Sequence, residues 1–555
     1  VKHRSRERQI AFAAAILTIA MSAGCGKSSD RHAAGRHPWT IPGILRIAMT
    51  QEPTNLNPPI AANWFDVSMF VYSWAVRYDA RARPVPDALR DIPTVANGDV
   101  SKDGLTLKYR LRRNIAWQDG VPLTCRDLMF TWRVVMNPHN NVTVTDGYRD
   151  IESIDCSNPY VAVIHMKRVY APYLQQLWGV NGNAPILPEH LLAKYNDDKG
   201  SFNTAPYNSL PVGSGPFKVV RWERGQEIRL VANPDFYLGR PKLKEVIFKV
   251  IPDANTAEQA LQTHSVDILS DSPIRWPADA PVVNQQSNGI VMKVADTFNF
   301  SKVDFNLQRP IVSDRNVRVA LAYATDRAGI VKKLLHGFGI VAETDQHPRF
   351  SWAYTSAVTH YAYDPQKARR ILEADGWKVG PDGVRVRRGQ RLAFEFTGLG
   401  GVGHPTQGQL MMQREWREIG VDAEIKNYPT AELLDPSPSG IIQCGRYDAA
   451  DLGYVDAADP DDSEFYSSRN LAPRGQNITR WINPVASAAI DDALRSVDQA
   501  RRRRDYIVVQ QQLTHDLPTI VLAYGRLPYI YNSDLKGFDP SPVVSAYWNP
   551  WSYSI

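Results

Sequence analysis

The chain has four cysteines in 555 residues, and no two of them sit at metal-ligand spacing. A zinc site is therefore not predicted. If Cys25 is modified, Cys125, Cys156 and Cys444 allow at most one intrachain disulfide, and the sequence leaves the pair open. Histidine is thin as well. The twelve histidines are scattered with no i, i+4 pair, and H-E-x-x-H is absent. The G-x-S-x-G nucleophile elbow is also missing, since Gly213-Ser214-Gly215 does not fit it. These absences remove the common hydrolytic motifs, although a pair of glycosidase carboxylates would leave little local signature. Long apolar runs are lacking too. The segment "IAFAAAILTIAM" is shorter than the ~20 residues a bilayer-spanning helix needs. Net charge is only +6, and the leader residues Lys2, Arg4, Arg6 and Arg8, less Glu7, supply half of it. What remains is too weak to point to nucleic acid. The run Arg501–Arg504 falls in a predicted helix where consecutive residues point in four directions, so it reads as a solvated surface.

What the N-terminus does have is a basic stretch, a short apolar run and the small residues Ser22-Ala23-Gly24 before Cys25. That is the layout of an export signal over 1–24. Cys25 stands where the acylated cysteine of a bacterial lipoprotein stands, with Ser22 at the place usually held by leucine. The following "GKSSDRHAAGRHPWTIPG" is polar and small, and reads as a flexible tether over 25–42. Over the whole chain, 43 % apolar and 22 % charged residues are ordinary globular values, and the length beyond the tether predicts two or three structural units.

Strand and helix signals alternate along the body. In "SKDGLTLKYRLRRNIAWQDGVPLTCRDLMFTW" a turn at Asp103-Gly104 leads to a strand in which Leu105, Leu107, Tyr109 and Leu111 alternate with polar residues. A second turn at Asp119-Gly120 precedes a helix capped by Thr124. "SDRNVRVALAYATDRAGIVKKLLHGFG" reads as two capped helices broken at Asp326, and "YDPQKARRILEADGW" and "HPTQGQLMMQREWREIG" as two more. An α/β or α+β layout follows, not a repeat array.

Taken together and in this order, these segments resemble the family 5 extracellular solute-binding proteins, the receptors of oligopeptide, dipeptide and nickel importers. "LRIAMTQEPTNLNP" and "PVGSGPFKVVRWERGQEIRLVANPDFY" belong to the same likeness. The resemblance implies a periplasmic-binding-protein-like type II bilobal fold with an extra inserted domain and a ligand cleft between the lobes. It places lobe I at 43–74, 206–295 and 521–555, the inserted domain at 75–205 and lobe II at 296–520. The implied function is that of a lipid-anchored, exported monomer without enzymatic activity or cofactor. It would capture short peptides by hinge closure and deliver them to the permease of an ABC importer. A nickel chelate, an opine or a sugar is the alternative ligand, and a secreted hydrolase the alternative class.

Two motifs need weighing against plainer readings. "GLGGVG", Gly398–Gly403, matches G-x-G-x-x-G after the strand "RLAFEFT", with Glu424 about twenty positions on. His404-Pro405 is expected to delay the next helix, so a glycine loop beside the cleft is preferred to a dinucleotide site. "GYVDAADPDD", residues 453–462, holds four aspartates. Counted from Asp456, a calcium loop would need Gly and Glu where Asp461 and Ser467 stand. In peptide-binding members of the family, a Gly-aromatic…Asp-x-x-Asp/Glu-Pro loop carries an aspartate that pairs with the ligand's α-ammonium. The resemblance thus gives Asp456 as amine anchor, Asp459 as loop support and Tyr454 as a ligand-facing ring. Asp461 and Asp462 are expected to be solvated. Most aromatic residues, including Trp117, Trp132 and the tail "YWNPWSYSI", read as packing.

Overall fold

The computed structural model describes residues 35–61, 65–269, 289–399, 403–435, 437–455 and 458–555. The expected export signal over 1–24, Cys25 and Asp456 lie outside these residues. The chain divides into two compact units, Val1–Ile41 and Pro42–Ile555. In the first, Thr40 N–H donates to His37 O at 3.1 Å, and the His37 and Trp39 rings stack 5.0 Å apart.

The second unit is organised by an eleven-stranded sheet. We number the strands of the unit β1 (Ile44–Met49), β2 (Thr106–Arg110), β3 (Ile151–Asn158), β4 (Val161–Met166), β5 (Phe217–Glu223), β6 (Glu227–Ala232), β7 (Glu245–Val250), β8 (Ile268–Leu269) and β9 (Ile290–Phe305). There follow β10 (Gly339–Val341), β11 (Ala393–Leu399), β12 (Asp422–Tyr428), β13 (Ala449–Val455) and β14 (Thr519–Asn532). The sheet order is β12-β11-β13-β9-β14-β8-β1-β7-β6-β5, with β10 on β14. β2, β4 and β3 form a separate small sheet.

Two strands tie the halves together. β9 and β14 are antiparallel over sixteen and fourteen residues, far beyond the typical five or six. Ile290 and Ile530 belong to one apolar cluster, while Val303, Phe305, Ile520 and Leu522 belong to another. Between them the register slips at Asp296/Phe300, which bends the ladder. Asp296 accepts from Arg349 Nε and Arg526 Nε at this point, both at 2.7 Å. Elsewhere, Arg46 on β1 and Asp267 before β8 form a buried two-bond ion pair, each bond 2.9 Å, that fixes the middle of the sheet.

Local signals explain many elements. The Thr124 N–H donates to Asp127 at 2.8 Å, closing a capping box on helix Cys125–Met136. Asp314, Asp326 and Asp364 cap helices Arg315–Ala324, Arg327–Lys333 and Pro365–Ala374, accepting from Asn316, Gly329 and Lys367 N–H. Leu107, Tyr109 and Leu111 point into the core, but Leu105 does not. It precedes the strand, on the turn at Gly104, and is exposed. Gly213 and Gly215 have a packing role: a Cβ on Gly213 would lie 1.9 Å from Val71 O. Trp117, Tyr547 and Tyr553 are buried in the larger core. Cys125 is bonded to Cys156, with 5.6 Å between their Cα atoms, and Cys444 is exposed and free.

The glycine motif departs from expectation. Helix Gly403–Glu418 starts at the third glycine and takes Pro405 into its first turn. A proline there gives up only an N–H that has no partner inside the helix. β11, this helix and β12 therefore form a parallel crossover unit, yet the dinucleotide reading fails for other reasons. A Cβ on Gly398 would lie 2.6 Å from Gln409, whose amide pairs reciprocally with Asn427 at 3.0 and 2.9 Å. The missing side chain thus makes room for the protein's own amides. Glu424 lies in the first half of β12, opposite Glu395, whereas a ribose-binding acid would stand at the strand's carboxyl end.

Candidate functional site

β13 ends at Val455, and the loop after it carries Asp459, Asp461 and Asp462 into the short helix Ser463–Tyr466. The loop meets three environments. Asp459 forms a two-bond ion pair with Arg502, one contact being 2.9 Å. Arg502 is buried, and its guanidinium also donates to Tyr506 Oη at 2.9 Å and lies 5.3 Å from the Trp352 ring. Burial opposes the charge on Arg502, and the Asp459 carboxylate more than offsets that effect, so its pKa is raised. This corrects the expectation that the whole arginine run is solvated. Arg501, Arg503 and Arg504 are exposed, but Arg502 turns inward toward an acid 43 positions away.

Asp462 is also buried, at 2 % exposure, and accepts from Gln346 Nε2. It too was expected to be solvated. Helix formation explains the difference: the Asp462 backbone carbonyl accepts from Phe465 and Tyr466 N–H at 3.2 and 3.0 Å, which draws the residue beneath the helix start. Tyr454 directs its hydroxyl inward, donating to Asp304 at 2.7 Å, and its ring lies 4.1 Å from the Lys302 ammonium. The polar end of the predicted ligand-facing ring is thus committed to the protein. Asp456 lies outside the described residues.

Asp461 takes the third environment, which is a cavity. A space of about 580 Å³ lies between segment 146–176 on one side and segment 461–495 on the other. That size suits a small ligand. Asp461 is half-buried on its wall, not solvated, and accepts from Ser463 N–H at 2.9 Å. Its pKa is raised by burial, with the charge of Asp459 adding to the effect. Glu464, although the residue as a whole is exposed, is raised as well, first by the protein crowding water from around its carboxyl and then by the carboxylates of Asp146 and Asp461. From the opposite wall, Tyr170 has its phenol held well above its ordinary range by burial and then by Asp461 and Asp146.

Cations are present but mostly taken. Arg168 pairs with Asp150 at 2.7 Å and Arg469 pairs with Asp491. Arg495, on the same wall, has no ion pair among the described residues. The cavity therefore offers unneutralised carboxylates for a cationic group and a guanidinium for an anionic one. Sequence reading missed Arg495, Glu464 and Tyr170. No local pattern marks them, because segments 146–176 and 461–495 meet only in the fold. Among the described residues no cluster of metal-ligating side chains occurs.

A profile of the bacterial extracellular solute-binding proteins, family 5, matches residues 57–476. The chain belongs to this family. Oligopeptide-binding protein AppA of Bacillus subtilis (strain 168) is 24 % identical over 543 residues, covering 96 % of each chain. Among solved structures, NikZ from Campylobacter jejuni in complex with Ni(L-His) superposes with a TM-score of 0.74 at 28 % identity. That match covers 93 % of this chain and all of the other. AppA from Bacillus subtilis in complex with a nonapeptide gives a TM-score of 0.72 at 25 % identity, over 92 % of this chain and 99 % of the other. The family fold is the two-lobed binding-protein architecture read from the sequence, and the cavity of this solute-binding protein lies where two distant segments of it face one another.

Proposed function

We propose that this solute-binding protein captures short peptides and hands them unaltered to the permease of an ABC importer. The observation that carries the reading is the cavity, whose walls carry Asp461, Glu464 and Arg495, none with an ion pair among the described residues. A free peptide presents an ammonium and a carboxylate, the two groups such walls accept, and buried charges need partners because an unpaired one costs several kcal/mol. Relatives named for oligopeptide binding, including the nonapeptide complex, support the same reading.

In this proposal lobe I comprises 43–74, 206–295 and 521–555, the inserted domain 75–205 and lobe II 296–520. β9 and β14 serve as hinge, bending at the register slip beside Asp296. Asp456 anchors the ligand's ammonium, Asp459 holds that loop against Arg502, and Arg495 is the candidate for its carboxylate. Residues 1–24 direct export and Cys25 carries the lipid that tethers the receptor, as a monomer, at the outer side of a membrane. No helix among the described residues is long and apolar enough to cross one.

Calorimetry with free and N-acetylated tripeptides tests the reading. Asp456→Ala should weaken the free peptides far more than the acetylated ones, and equal losses would remove the anchor assignment. Failure of every peptide to bind, with heat released by Ni(II)–histidine instead, would move the receptor to the metal-chelate class. Membrane retention of a Cys25→Ala variant would count against the lipid.

A further inference from the structure

We infer that Asp345 and Asp462 share one proton beneath the loop that follows β13, and that this proton locks the loop in place. Its loss as pH rises releases the loop. The lock is a property of the free protein, and only its effect on ligand affinity rests on the peptide reading above.

A cluster of buried groups carries the inference. Asp345 and Asp462 are 3 % and 2 % exposed, and their carboxyl groups meet in a side-chain hydrogen bond. Ionised carboxylates are acceptors only, so a bond between the two requires a proton on one of them. Asp462 Oδ1 accepts from Gln346 Nε2, which also donates to Pro460 O at 3.3 Å. Asp345 Oδ1 has no hydrogen-bond partner among the described residues. An ionised Asp345 would therefore be a buried charge with an unmet oxygen, whereas a protonated one donates to Asp462.

The neighbouring charges are engaged elsewhere. On β9 the Lys302 ammonium lies 3.2 Å from Asp304 and donates to Tyr466 Oη at 3.1 Å, and Tyr454 of β13 donates to Asp304. Burial pushes the Asp345 carboxyl up, and the charge of Lys302 offsets this only in part. On helix Gln499–Asp516, Arg502 is paired with Asp459, and burial holds the Tyr506 phenol neutral. His347 accepts from Arg349 N–H and is kept neutral by burial. Asp451 projects from the other face of β13, toward Gly408.

The pair sits where it can move a binding surface. The Asp462 carbonyl receives the Phe465 and Tyr466 N–H groups, so a shift of Asp462 carries the cavity wall at Asp461 and Glu464 with it. On the other side, Tyr524 of β14 donates to Gln346 O at 2.7 Å, which ties the pair to a strand that joins the two halves. Losing the proton sets two carboxylates against one another in a buried place, where both do not stay ionised. The folded protein holds this proton more tightly than a water-exposed carboxyl would. The lock is thus complete below the ordinary carboxyl range and is lost as pH rises through the titration of the pair.

Amide hydrogen exchange on the intact protein tests this, in an Asp451→Asn background that removes the titration on the far face of β13. After correction for intrinsic rates, protection of the Phe465 and Tyr466 amides should fall about tenfold per pH unit between about pH 4 and the titration of the pair. Asp345→Asn, whose amide donates to Asp462 at every pH, should flatten that slope, and Asp462→Asn should do the same. In mildly acid buffer, Asp345→Asn should also remove a protonated-carboxyl stretch from the infrared spectrum. Tripeptide affinity should weaken along the same slope and become level in Asp345→Asn. Protection that ignores pH, or a slope and a carboxyl band that survive Asp345→Asn, would overturn the inference whatever the peptides do. If no tripeptide binds but the slope appears and Asp345→Asn flattens it, the lock stands and the peptide reading falls.

Discussion

The inner and outer faces of one short segment, 458–464, treat the same chemical group in opposite ways. On the inner face Asp459 and Asp462 are buried or nearly so, and each meets donors from the protein: the Arg502 guanidinium for one, the Gln346 amide for the other. On the cavity face Asp461 is met only by Ser463 of its own loop and Glu464 by no hydrogen-bond or ion-pair partner among the described residues, and their pKa values are pushed up. The contrast indicates that the inner carboxylates hold the loop in place, and that the outer ones contribute little to that anchoring.

The largest effect expected from this comparison is at Arg502. Arg502→Met leaves Asp459 in a buried setting without a counterion and should cost about 3–5 kcal/mol of stability, whereas pairing it with Asp459→Leu should recover most of the loss. Urea unfolding of both variants checks this. A single variant as stable as the parent would break the comparison.

Next is the disulfide between Cys125 and Cys156, which joins the start of helix Cys125–Met136 to β3. It closes a 31-residue separation, so removing both cysteines should cost about 3–4 kcal/mol by loop-closure entropy. The Tm of the Cys125→Ser, Cys156→Ser double variant measures it, and an unchanged Tm would refute the expectation.

Two buried groups sharpen the electrostatics through pH. Burial pushes the Asp451 carboxyl up to about 7 and the His347 ring down to about 4. For Asp451 the folded state holds its proton more tightly than the unfolded chain does. Its share of stability is therefore full at low pH and lost as pH rises toward 7. For His347 the unfolded chain binds the proton more tightly, so its share is present above about 6.5 and lost as pH falls toward 4. Asp451→Asn should thus gain stability relative to the parent, by up to ~4 kcal/mol at pH 8, and most of that gain should vanish by pH 4. His347→Gln should flatten the acid limb. Denaturation midpoints at several pH values measure both, and parallel curves for parent and variants would refute the assignment.

The smallest effect is expected on the cavity face. Glu464→Gln should leave stability within about 0.5 kcal/mol of the parent, or slightly above it, because an exposed carboxylate with like-charged neighbours adds little. A loss as large as that at Arg502 would erase the distinction between the faces.

Much of the frame was legible locally. Capping aspartates at 314, 326 and 364 announce their helices because the acceptor and the N–H groups it serves lie within three residues. The ordered segments from Leu45 onward were enough to indicate the family and its fold. The inward turn of Arg502 was not legible, since helical periodicity says that one residue in four faces the core without saying which acid waits there. The burial of Asp462 and the half-burial of Asp461 were misjudged for a related reason. A cluster of aspartates beside a proline has the composition of a solvated turn, and only the approach of Gln346 and of segment 146–176 changes its surroundings. The start of the helix at Gly403 shows the same limit at short range: His-Pro forbids a helix interior but not a first turn.

The sequence by itself thus determined where helices begin, which strand faces are apolar and which family the chain joins, because these depend on neighbours a few residues apart. Which carboxylates are neutralised, which cysteines are joined and where a cavity opens were decided only by tertiary structure. Each of those outcomes depends on charge, geometry or empty space contributed by residues tens to hundreds of positions away, and local composition carries no record of such partners.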